Sequence, residues 1–410
     1  MDNVTHTLIG ALLGETVART TQPDPRGLPA TVRRNLLVAT AAIGSNLPDI
    51  DVLYSFIGGK LNYLLHHRGH SHTIIGALLL AAAAFAIARW QLGRRGHAPS
   101  SRDVRSLAGV FAITPLLHIG MDFTNNYGVH PFWPLSNRWF YGDAVFIAEP
   151  LLWAACAPLA ITFRSWAARG IVAVVLAIGI GLALFSGLVP LLPAIALIVV
   201  IAAMVLLALR ATPRVALMSG VAVWLGVTAL FAVCSHVAAN RIDSVAAQAF
   251  PAARTIDRVL TPMPANPLCW EVMLVQTQEQ SVVARRAMLA LAPRLIAADA
   301  CLSRSLDIPS TAPLTPVAAD GTAALHWYGE IATDVAQLRS HVATDCQAAA
   351  AMRFIRVPWL ASIEHQTVLG DLRYDREKAL GFAEIAVRDP PGACPRLVPD
   401  WRPPRADLLH

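Results

Sequence analysis

The sequence predicts an α-helical integral membrane bundle of about eight helices followed by a soluble α+β domain, on three observations. First, 55% of the 410 residues are hydrophobic and only 15% are charged, a balance too apolar for an ordinary soluble domain. Second, the forty residues from Gly170 to Leu209 include no Asp, Glu, Lys, Arg or His. Third, the composition changes after Asn240, where Pro, Gln, Asp and Arg become frequent.

The uncharged stretch is long enough for two membrane spans. At about 1.5 Å per residue it reaches about 60 Å, roughly twice a hydrocarbon core, and Pro190 and Pro193 lie at its middle. A buried helical hairpin in a soluble protein is the alternative, but the neighbouring segments are themselves apolar and offer no polar surface to enclose it. The apolar segments run approximately over residues 4–18, 35–57, 73–92, 105–122, 144–163, 170–189, 191–209 and 215–239. The first lacks a basic n-region and a convincing cleavage site, so no removable signal peptide is expected.

The change at Asn240 divides the protein into a membrane domain of residues 1–240 and a second domain of residues 241–410. Alternating runs such as CWEVMLVQ and GFAEIAVR are typical of β-strands. The cysteines of this second domain are Cys269, Cys301, Cys346 and Cys394. An even number favours two disulfides, with three possible pairings, in an oxidising compartment. Four free thiols in a cytoplasmic domain are the alternative.

The positive charges of the membrane domain fall in alternate loops. Residues 1–240 hold 16 Lys and Arg against 9 Asp and Glu, and residues 241–410 hold 17 against 18, so the net charge of +6 is +7 and −1. Thirteen of the 16 lie in one set of loops, and three, Lys60, Arg68 and Arg138, lie in the other. The positive-inside rule then predicts a multi-pass membrane protein with cytoplasmic arginine-rich loops and an extracytoplasmic second domain. Scattered loop arginines do not predict nucleic-acid binding.

Ionisable side chains gather at the helix ends opposite the arginine-rich loops. Counted from those arginines at about 1.5 Å per helical residue, Asp49, His118 and Asp122 lie about 20–26 Å away, and Glu149 lies about 22 Å from Arg164. In a hydrocarbon core about 30 Å thick these residues share one layer. The full layer contains His6, Asp49, Asp51, His66, His67, His70, His72, His118, Asp122, His130, Asp143 and Glu149. Ionisable groups at that depth are unfavourable unless they pair with one another, with water or with a metal.

Three local patterns within the layer favour a metal site. His118 and Asp122 stand four residues apart in a predicted helix, which puts both on one face. Pro48 predicts a break that exposes Asp49 and Asp51 at a cavity. The segment HHRGHSH concentrates four histidines at the start of the next helix, where neutral imidazoles can bind a metal.

The composition of the layer suits zinc, manganese or iron(II), and zinc is the first choice. Each acid alone has a simpler explanation. Asp122, Asp143 or Glu149 could cap a helix or pair with Arg68 or Arg138. Seven histidines and five acids in one layer exceed what capping requires.

The segments MDNVTHTLIGALLG, LPDID, HHRGHSHT, HIGMDFTNNYG and HPFWPLS occur in this order. Over roughly residues 1–155 they resemble the YdjM-type inner-membrane metal-dependent hydrolases. The resemblance implies that the polar positions of that family are His6, Asp49, Asp51, His67, His72, His118 and Asp122. Their order is also similar to that of zinc-dependent phospholipase C and the related single-strand nucleases, which use a cluster of zinc ions. The later histidine-plus-acid helix motif of those enzymes is missing after His130.

These observations lead to one hypothesis and one alternative. The hypothesis is a metal-dependent hydrolase acting on a phosphoester or another lipid-linked ester at the outer leaflet, with membrane lipid as its partner. Its expected metal ligands are His6, Asp49, His67, His72, His118 and Asp122. Asp51 is expected to ligate or to act as general base, and Arg68 to hold an anionic headgroup.

The alternative is a non-enzymatic membrane scaffold, or a protein that binds or transports a metal. A conduit needs polar groups that continue to the cytoplasmic side, and the sequence offers only loop arginines there. The substrate and the oligomeric state do not follow from the sequence.

Overall fold

The computed structural model describes residues 1–302, 310–388 and 392–410. The helices of its first part are α1 (Asn3–Thr20), α2 (Ala30–Gly44), α3 (Ser55–His66), α4 (Ile74–Arg94), α5 (Ser101–Phe123), α6 (Pro150–Ala155), α7 (Leu159–Thr162), α8 (Trp166–Phe185), α9 (Leu191–Arg210) and α10 (Pro213–Ala249). Two 3₁₀ segments, Leu47–Tyr54 and His70–His72, precede α3 and α4.

Within the described ranges, five helices of this part are long and apolar enough to cross a bilayer. These are α4, α5, α8, α9 and α10, and a sixth span results if α2 and the following 3₁₀ segment, bent by 41°, count as one. The helical membrane part is thereby confirmed, and the uncharged stretch forms α8 and α9 as predicted. The number of about eight helices and their direction across the membrane stay predictions.

One expected helix has a different structure. Residues 144–163 do not form a continuous helix, but an irregular segment followed by the short helices α6 and α7. Pro158 lies between these two helices and lacks the backbone N–H that would continue α6. The depth of Glu149, which was estimated by counting along a continuous helix from Arg164, is therefore not supported by the structure.

Two glycines bring α1, α2 and α5 close together. A Cβ at Gly10 would lie 2.5 Å from the carbonyl oxygen of Ala41, and a Cβ at Gly44 would collide with the hydroxyl of Thr114. Small residues at such positions let helix backbones approach within a membrane. The start of α1, the end of α2 and the end of α5 consequently meet at one end of the bundle.

The second part of the chain is an α+β domain with two antiparallel sheets. The four-stranded sheet has the order β1 (Arg254–Met263), β2 (Asn266–Gln278), β3 (Ser281–Ala290) and β4 (Leu325–Asp334). After α11 (Val335–Thr344) and α12 (Cys346–Ala351), the three-stranded sheet has the order β5 (Pro358–Ile363), β6 (Gln366–Asp371) and β7 (Glu384–Val387). The run CWEVMLVQ lies in β2 and the run GFAEIAVR contains β7, so both predicted strands are confirmed. Met273, Trp359 and Leu369 belong to the core shared by the two sheets.

The four cysteines of this domain form two disulfides, Cys269–Cys301 and Cys346–Cys394. The predicted number of disulfides is therefore confirmed, and the pairing is one of the three that the sequence left open. The connection to the membrane part is α10, a single helix of 37 residues that passes Asn240 and ends at Ala249, with four residues between it and β1.

The domain packs on the end of the bundle where α5 ends. The Arg356 guanidinium bridges the two parts, donating to Asp143 at 2.8 and 2.9 Å and to Asp257 at 2.9 Å. Arg373 donates to the backbone oxygen of Asn126 at 2.6 Å. Trp401 donates its indole N–H to the backbone oxygen of Leu65 at 2.9 Å. These contacts hold the domain directly over the loops that carry the polar layer.

Candidate metal site

Four side chains from three separate segments meet at this end of the bundle. Asp49 comes from the 3₁₀ segment after α2, His72 from the turn before α4, and His118 and Asp122 from the last two turns of α5. One oxygen or nitrogen atom of each lies within 4.8 Å of the others. The break expected at Pro48 is present, since α2 ends at Gly44 and the chain bends there by 41°. The structure therefore brings together four of the residues predicted from the sequence.

Five of the six distances between these atoms are close to the edge length of a tetrahedron around a small cation. His72 Nε2 lies 3.0 Å from His118 Nε2, 3.4 Å from Asp49 Oδ1 and 3.2 Å from Asp122 Oδ2. His118 Nε2 lies 3.5 Å from Asp49 Oδ1 and 3.4 Å from Asp122 Oδ2. Tetrahedral zinc with bonds of about 2.0–2.1 Å separates its ligand atoms by about 3.3–3.4 Å. The four residues thus fit a divalent metal such as zinc.

The hydrogen bonds behind the two rings fix which nitrogens face each other. His118 Nδ1 lies 2.6 Å from the carbonyl oxygen of Ser45, which can only accept, so this nitrogen carries the hydrogen. His72 Nδ1 lies 3.0 Å from Asp51 Oδ2. With both Nδ1 atoms donating, both Nε2 atoms present lone pairs to one another, an arrangement that a cation between them would stabilise. Metal-bound histidines characteristically have such partners on the other ring nitrogen.

Asp51 lies behind His72 rather than among the four atoms that face one another. Its Oδ2 accepts from the Ser71 hydroxyl at 2.8 Å and from the Arg68 backbone N–H at 2.9 Å. Its Oδ1 lies 2.9 Å from His67 Nδ1. Asp49, Asp51 and His67 form a second group whose ligand atoms lie within 4.8 Å of one another. Asp51 can therefore orient both His67 and His72.

Asp122 is the most heavily contacted carboxylate of the site. Its Oδ2 lies 3.0 Å from Arg68 Nε, and its Oδ1 lies 3.2 Å from His6 Nε2 and contacts the amino group of Met1. The His6 ring stacks on His118 with centroids 3.7 Å apart. His6 is therefore adjacent to the four-residue group but outside it among the described residues.

Arg68 is buried, with its side chain 2% exposed. It donates to Asn125 Oδ1 at 2.8 Å, and its guanidinium carbon lies 4.7 Å from the centroid of the Tyr127 ring. These contacts direct the Arg68 guanidinium towards the Asp122 carboxylate, with which it forms an ion pair. The geometry thus supports an orienting role for Arg68 within the site.

Two further members of the predicted layer have structural partners elsewhere. Asp143 pairs with Arg356, and Glu149 accepts from the backbone N–H groups of Leu151 and Ala265. Capping thus explains Glu149, whereas the partner of Asp143 is Arg356 and not Arg68 or Arg138.

His130 packs against an aromatic residue of the second domain. Its ring lies on Trp401, and its Nδ1 donates to the Arg68 carbonyl oxygen at 3.2 Å. Burial lowers the pKa of His130 to about 3, so its ring is neutral.

Sequence reasoning missed the groups that hold the predicted residues in place. The Ser45 carbonyl, the Ser71 hydroxyl and the Asn125 amide each contact a residue of the site. Ser71 and Asn125 lie inside the HHRGHSHT and HIGMDFTNNYG segments, so their positions were a usable signal. The Ser45 carbonyl is a backbone group, so the residue type at this position does not indicate its role.

Comparison with known proteins identifies a matching family. Residues 1–189 match the family described as YdjM inner membrane protein, which is less than half of the 410 residues. All four residues of the candidate metal group lie inside the matched segment. No curated protein and no solved structure matches the chain.

Proposed function

The first 189 residues match the YdjM inner membrane protein family, and from this premise we propose that the chain is a membrane-embedded, metal-dependent hydrolase. Its substrate is a phosphoester or another lipid-linked ester at the outer leaflet. Asp49, His72, His118 and Asp122 hold the metal, and zinc is the first choice because it favours four nitrogen and oxygen ligands in a tetrahedron. The observation that carries the proposal is the 3.0 Å approach of the Nε2 atoms of His72 and His118, each within 3.2–3.5 Å of the Asp49 and Asp122 carboxylates.

A divalent metal bound there would lower the pKa of a water molecule and stabilise negative charge on the attacked ester. The protein groups around it have separate tasks. Asp51 fixes the tautomer and orientation of His72, and Arg68 holds Asp122 in place. Asp49 is the most exposed of the four ligands, with its side chain 12% exposed, so substrate approaches from its side. The sequence predicted that Asp51 is a ligand or the general base and that Arg68 binds an anionic headgroup. In this proposal both are positioning residues.

The proposal also includes the orientation of the protein. Thirteen of the 16 positive charges of residues 1–240 lie in one set of loops, which favours a cytoplasmic location for those loops. The two disulfides favour an oxidising compartment for the second domain. Residues 241–410 then form an extracytoplasmic domain above the metal site.

A structural metal site is the second candidate, and one observation favours it. Four protein ligands complete a tetrahedron by themselves, as structural zinc sites do, whereas catalytic zinc sites keep one position open. Hydrolysis requires Asp49 to yield its place to water or substrate, or requires the metal to accept a fifth ligand. A scaffold with a structural metal would bind the ion equally well and hydrolyse nothing.

Metal content and hydrolysis, measured on the full chain purified in detergent, test the proposal together. We expect about one equivalent of metal in the wild type and almost none in His118→Ala. His97→Ala is the matched control, because His97 follows α4 at the opposite end of that helix from His72. Hydrolysis of phosphatidylglycerol in mixed micelles should follow metal content across the three proteins. A wild type without metal would overturn the metal site, and a wild type with metal but no hydrolysis of phosphodiester or acyl-ester lipids would favour the structural role.

A further inference from the structure

A groove runs from the polar layer onto the membrane-facing surface of the bundle. It encloses about 610 Å³ between the 3₁₀ segment Leu47–Tyr54, the turn before α4, and the first turns of α4. Leu53, Leu79 and Leu80 contribute apolar lining, and Asp51, His66 and Ser71 contribute polar lining. The polar lining borders the metal group directly, because Asp51 contacts His72.

The apolar lining faces the region that lipid chains occupy. Leu79 and Leu80 follow His72 by seven and eight residues, which places them about 10–12 Å further along the helix axis, towards the middle of α4. Leu79 is 66% exposed and Leu53 is 54% exposed, and α4 is a candidate membrane span of which only 11% is buried within the protein. In a bilayer these side chains contact acyl chains instead of water. The groove is therefore open sideways to the hydrocarbon.

The polar lining contains a buried histidine whose ring nitrogens are not fully paired. His66 is 5% exposed and stacks on Tyr54 with ring centroids 4.2 Å apart. The backbone of Leu397 interacts with this ring, but neither ring nitrogen has a partner at hydrogen-bond geometry among the described residues. Buried polar groups in folded proteins are nearly always hydrogen-bonded. With Leu397 beside one nitrogen, the other is available to a polar group of a bound molecule.

The second domain covers the polar lining on its other side. Trp401 donates to the carbonyl oxygen of Leu65, the residue before His66, and Lys60 donates to the backbone of Gly381. His70, which also lines the groove, lies against Trp401 with ring centroids 4.8 Å apart. A molecule that reaches His66 from the bilayer avoids this cover, whereas one that arrives from the aqueous side must displace it.

We propose that this groove binds a membrane phospholipid that enters sideways from the bilayer. An acyl chain lies along Leu53, Leu79 and Leu80, and the ester and phosphate region reaches His66 and Ser71 beside the metal group. That this lipid is also the substrate rests on the proposed hydrolase function. Binding of the lipid in the groove is independent of it.

Photochemical cross-linking of the full chain tests the groove. The probe is phosphatidylglycerol with a diazirine in one acyl chain, diluted into vesicles of phosphatidylethanolamine and phosphatidylglycerol that contain the purified protein. We expect cross-links to concentrate on the peptides that contain residues 50–54 and 76–80. Leu79→Trp fills the groove without changing charge, and should lower the yield at residues 50–54 roughly tenfold, the ratio that corresponds to about 1.4 kcal/mol of binding. Ile87→Trp is the control, because Ile87 is 55% exposed on the same helix and lies outside the groove lining.

A second variant and a second measurement make each result decisive. His66→Phe retains the ring that stacks on Tyr54 and removes both nitrogens, so it should also lower the yield, while circular dichroism verifies the fold of every variant. Equal yields in wild type and Leu79→Trp, or an equal loss in Ile87→Trp, would overturn the groove. Metal content is measured on the same samples. Selective cross-linking without metal would reject the hydrolase but retain the groove, and metal without selective cross-linking would reject the groove alone.

Discussion

Trp401 stacks on His130 with ring centroids 3.9 Å apart and ring planes inclined by 21°. His130 belongs to the loop after α5, and Trp401 lies nine residues before the last residue of the sequence. Both residues are 0% exposed. The pair connects the metal group to the second domain, because the His130 ring also donates to the backbone of Arg68, the arginine that holds Asp122.

Removal of the Trp401 side chain should loosen the second domain. Trp401→Ala deletes a fully buried indole and its hydrogen bond to Leu65, and such changes cost about 3–5 kcal/mol. We expect faster proteolysis of the domain and a lower temperature of its thermal unfolding. Trp166→Ala is the control, because Trp166 is 81% exposed. Similar protease resistance in the two variants would contradict the interface.

Replacement of Asp51 should weaken metal binding without abolishing it. Asp51→Asn removes the charge that orients His72 while retaining the size of the side chain, and changes of this kind lower metal affinity about 10- to 100-fold. Competition with a chromophoric chelator measures the affinity. Asp320→Asn, an exposed position in the second domain, should leave it unchanged. A complete loss of metal from Asp51→Asn at saturating zinc would instead identify Asp51 as a ligand.

The bridge at Arg356 should stabilise the contact between the two parts of the chain. Arg356→Met leaves the carboxylates of Asp143 and Asp257 without their shared partner, and breaking a buried pair from one side costs about 3–5 kcal/mol. Denaturant titration of the full chain, followed by protection of the domain from protease, measures the loss. The exposed Arg254 gives the matched control Arg254→Met. If the two variants unfold at the same denaturant concentration, the bridge contributes no stability.

The stability of the second domain should fall in acid through Glu271. Burial alone would raise the pKa of this carboxyl, but the charges of Arg376 and Arg286 outweigh burial and lower the pKa to about 2. Because the folded-state pKa lies below the ordinary value, the stabilisation is complete above about pH 4.5 and is lost as pH falls towards 2, by about 3 kcal/mol in total.

Unfolding free energies of the wild type and Glu271→Gln between pH 6 and pH 2 provide the measurement. The variant should be less stable at pH 6 and should show a flatter dependence on pH. Glu279→Gln, at an exposed turn, should retain the slope of the wild type. A parallel pair of curves for wild type and Glu271→Gln would refute the assignment to Glu271.

Reporter fusions test the orientation across the membrane. Alkaline phosphatase fused after His410 should be active and green fluorescent protein fused there should be dark, because the second domain is proposed to be extracytoplasmic. Fusions after Arg210, at the end of α9 in an arginine-rich loop, should give the opposite result. Active phosphatase at both positions would require a different number of spans between them.

The sequence predicted those features that depend on local pattern. The spans α8 and α9 and the strands β2 and β7 follow from hydrophobic runs and alternation. Spacing of four residues selected His118 and Asp122, the break at Pro48 selected Asp49, and the histidine-rich segment selected His72. The helix expected over residues 144–163 failed because two prolines outweigh its apolar composition. The partner of Asp143 also could not be predicted, because Arg356 is more than two hundred residues away and no short-range pattern connects them.

Because α10 is one continuous helix, a change in its length would move the sheets that follow it. At about 100° and 1.5 Å per residue, one amino acid inserted between Asn240 and Ala249 would turn β1 to β4 by more than a quarter of a circle. The sheets would then face away from the loops that they now cover, although every strand would remain intact. An insertion in this helix would therefore change the rotation and the height of the sheets together.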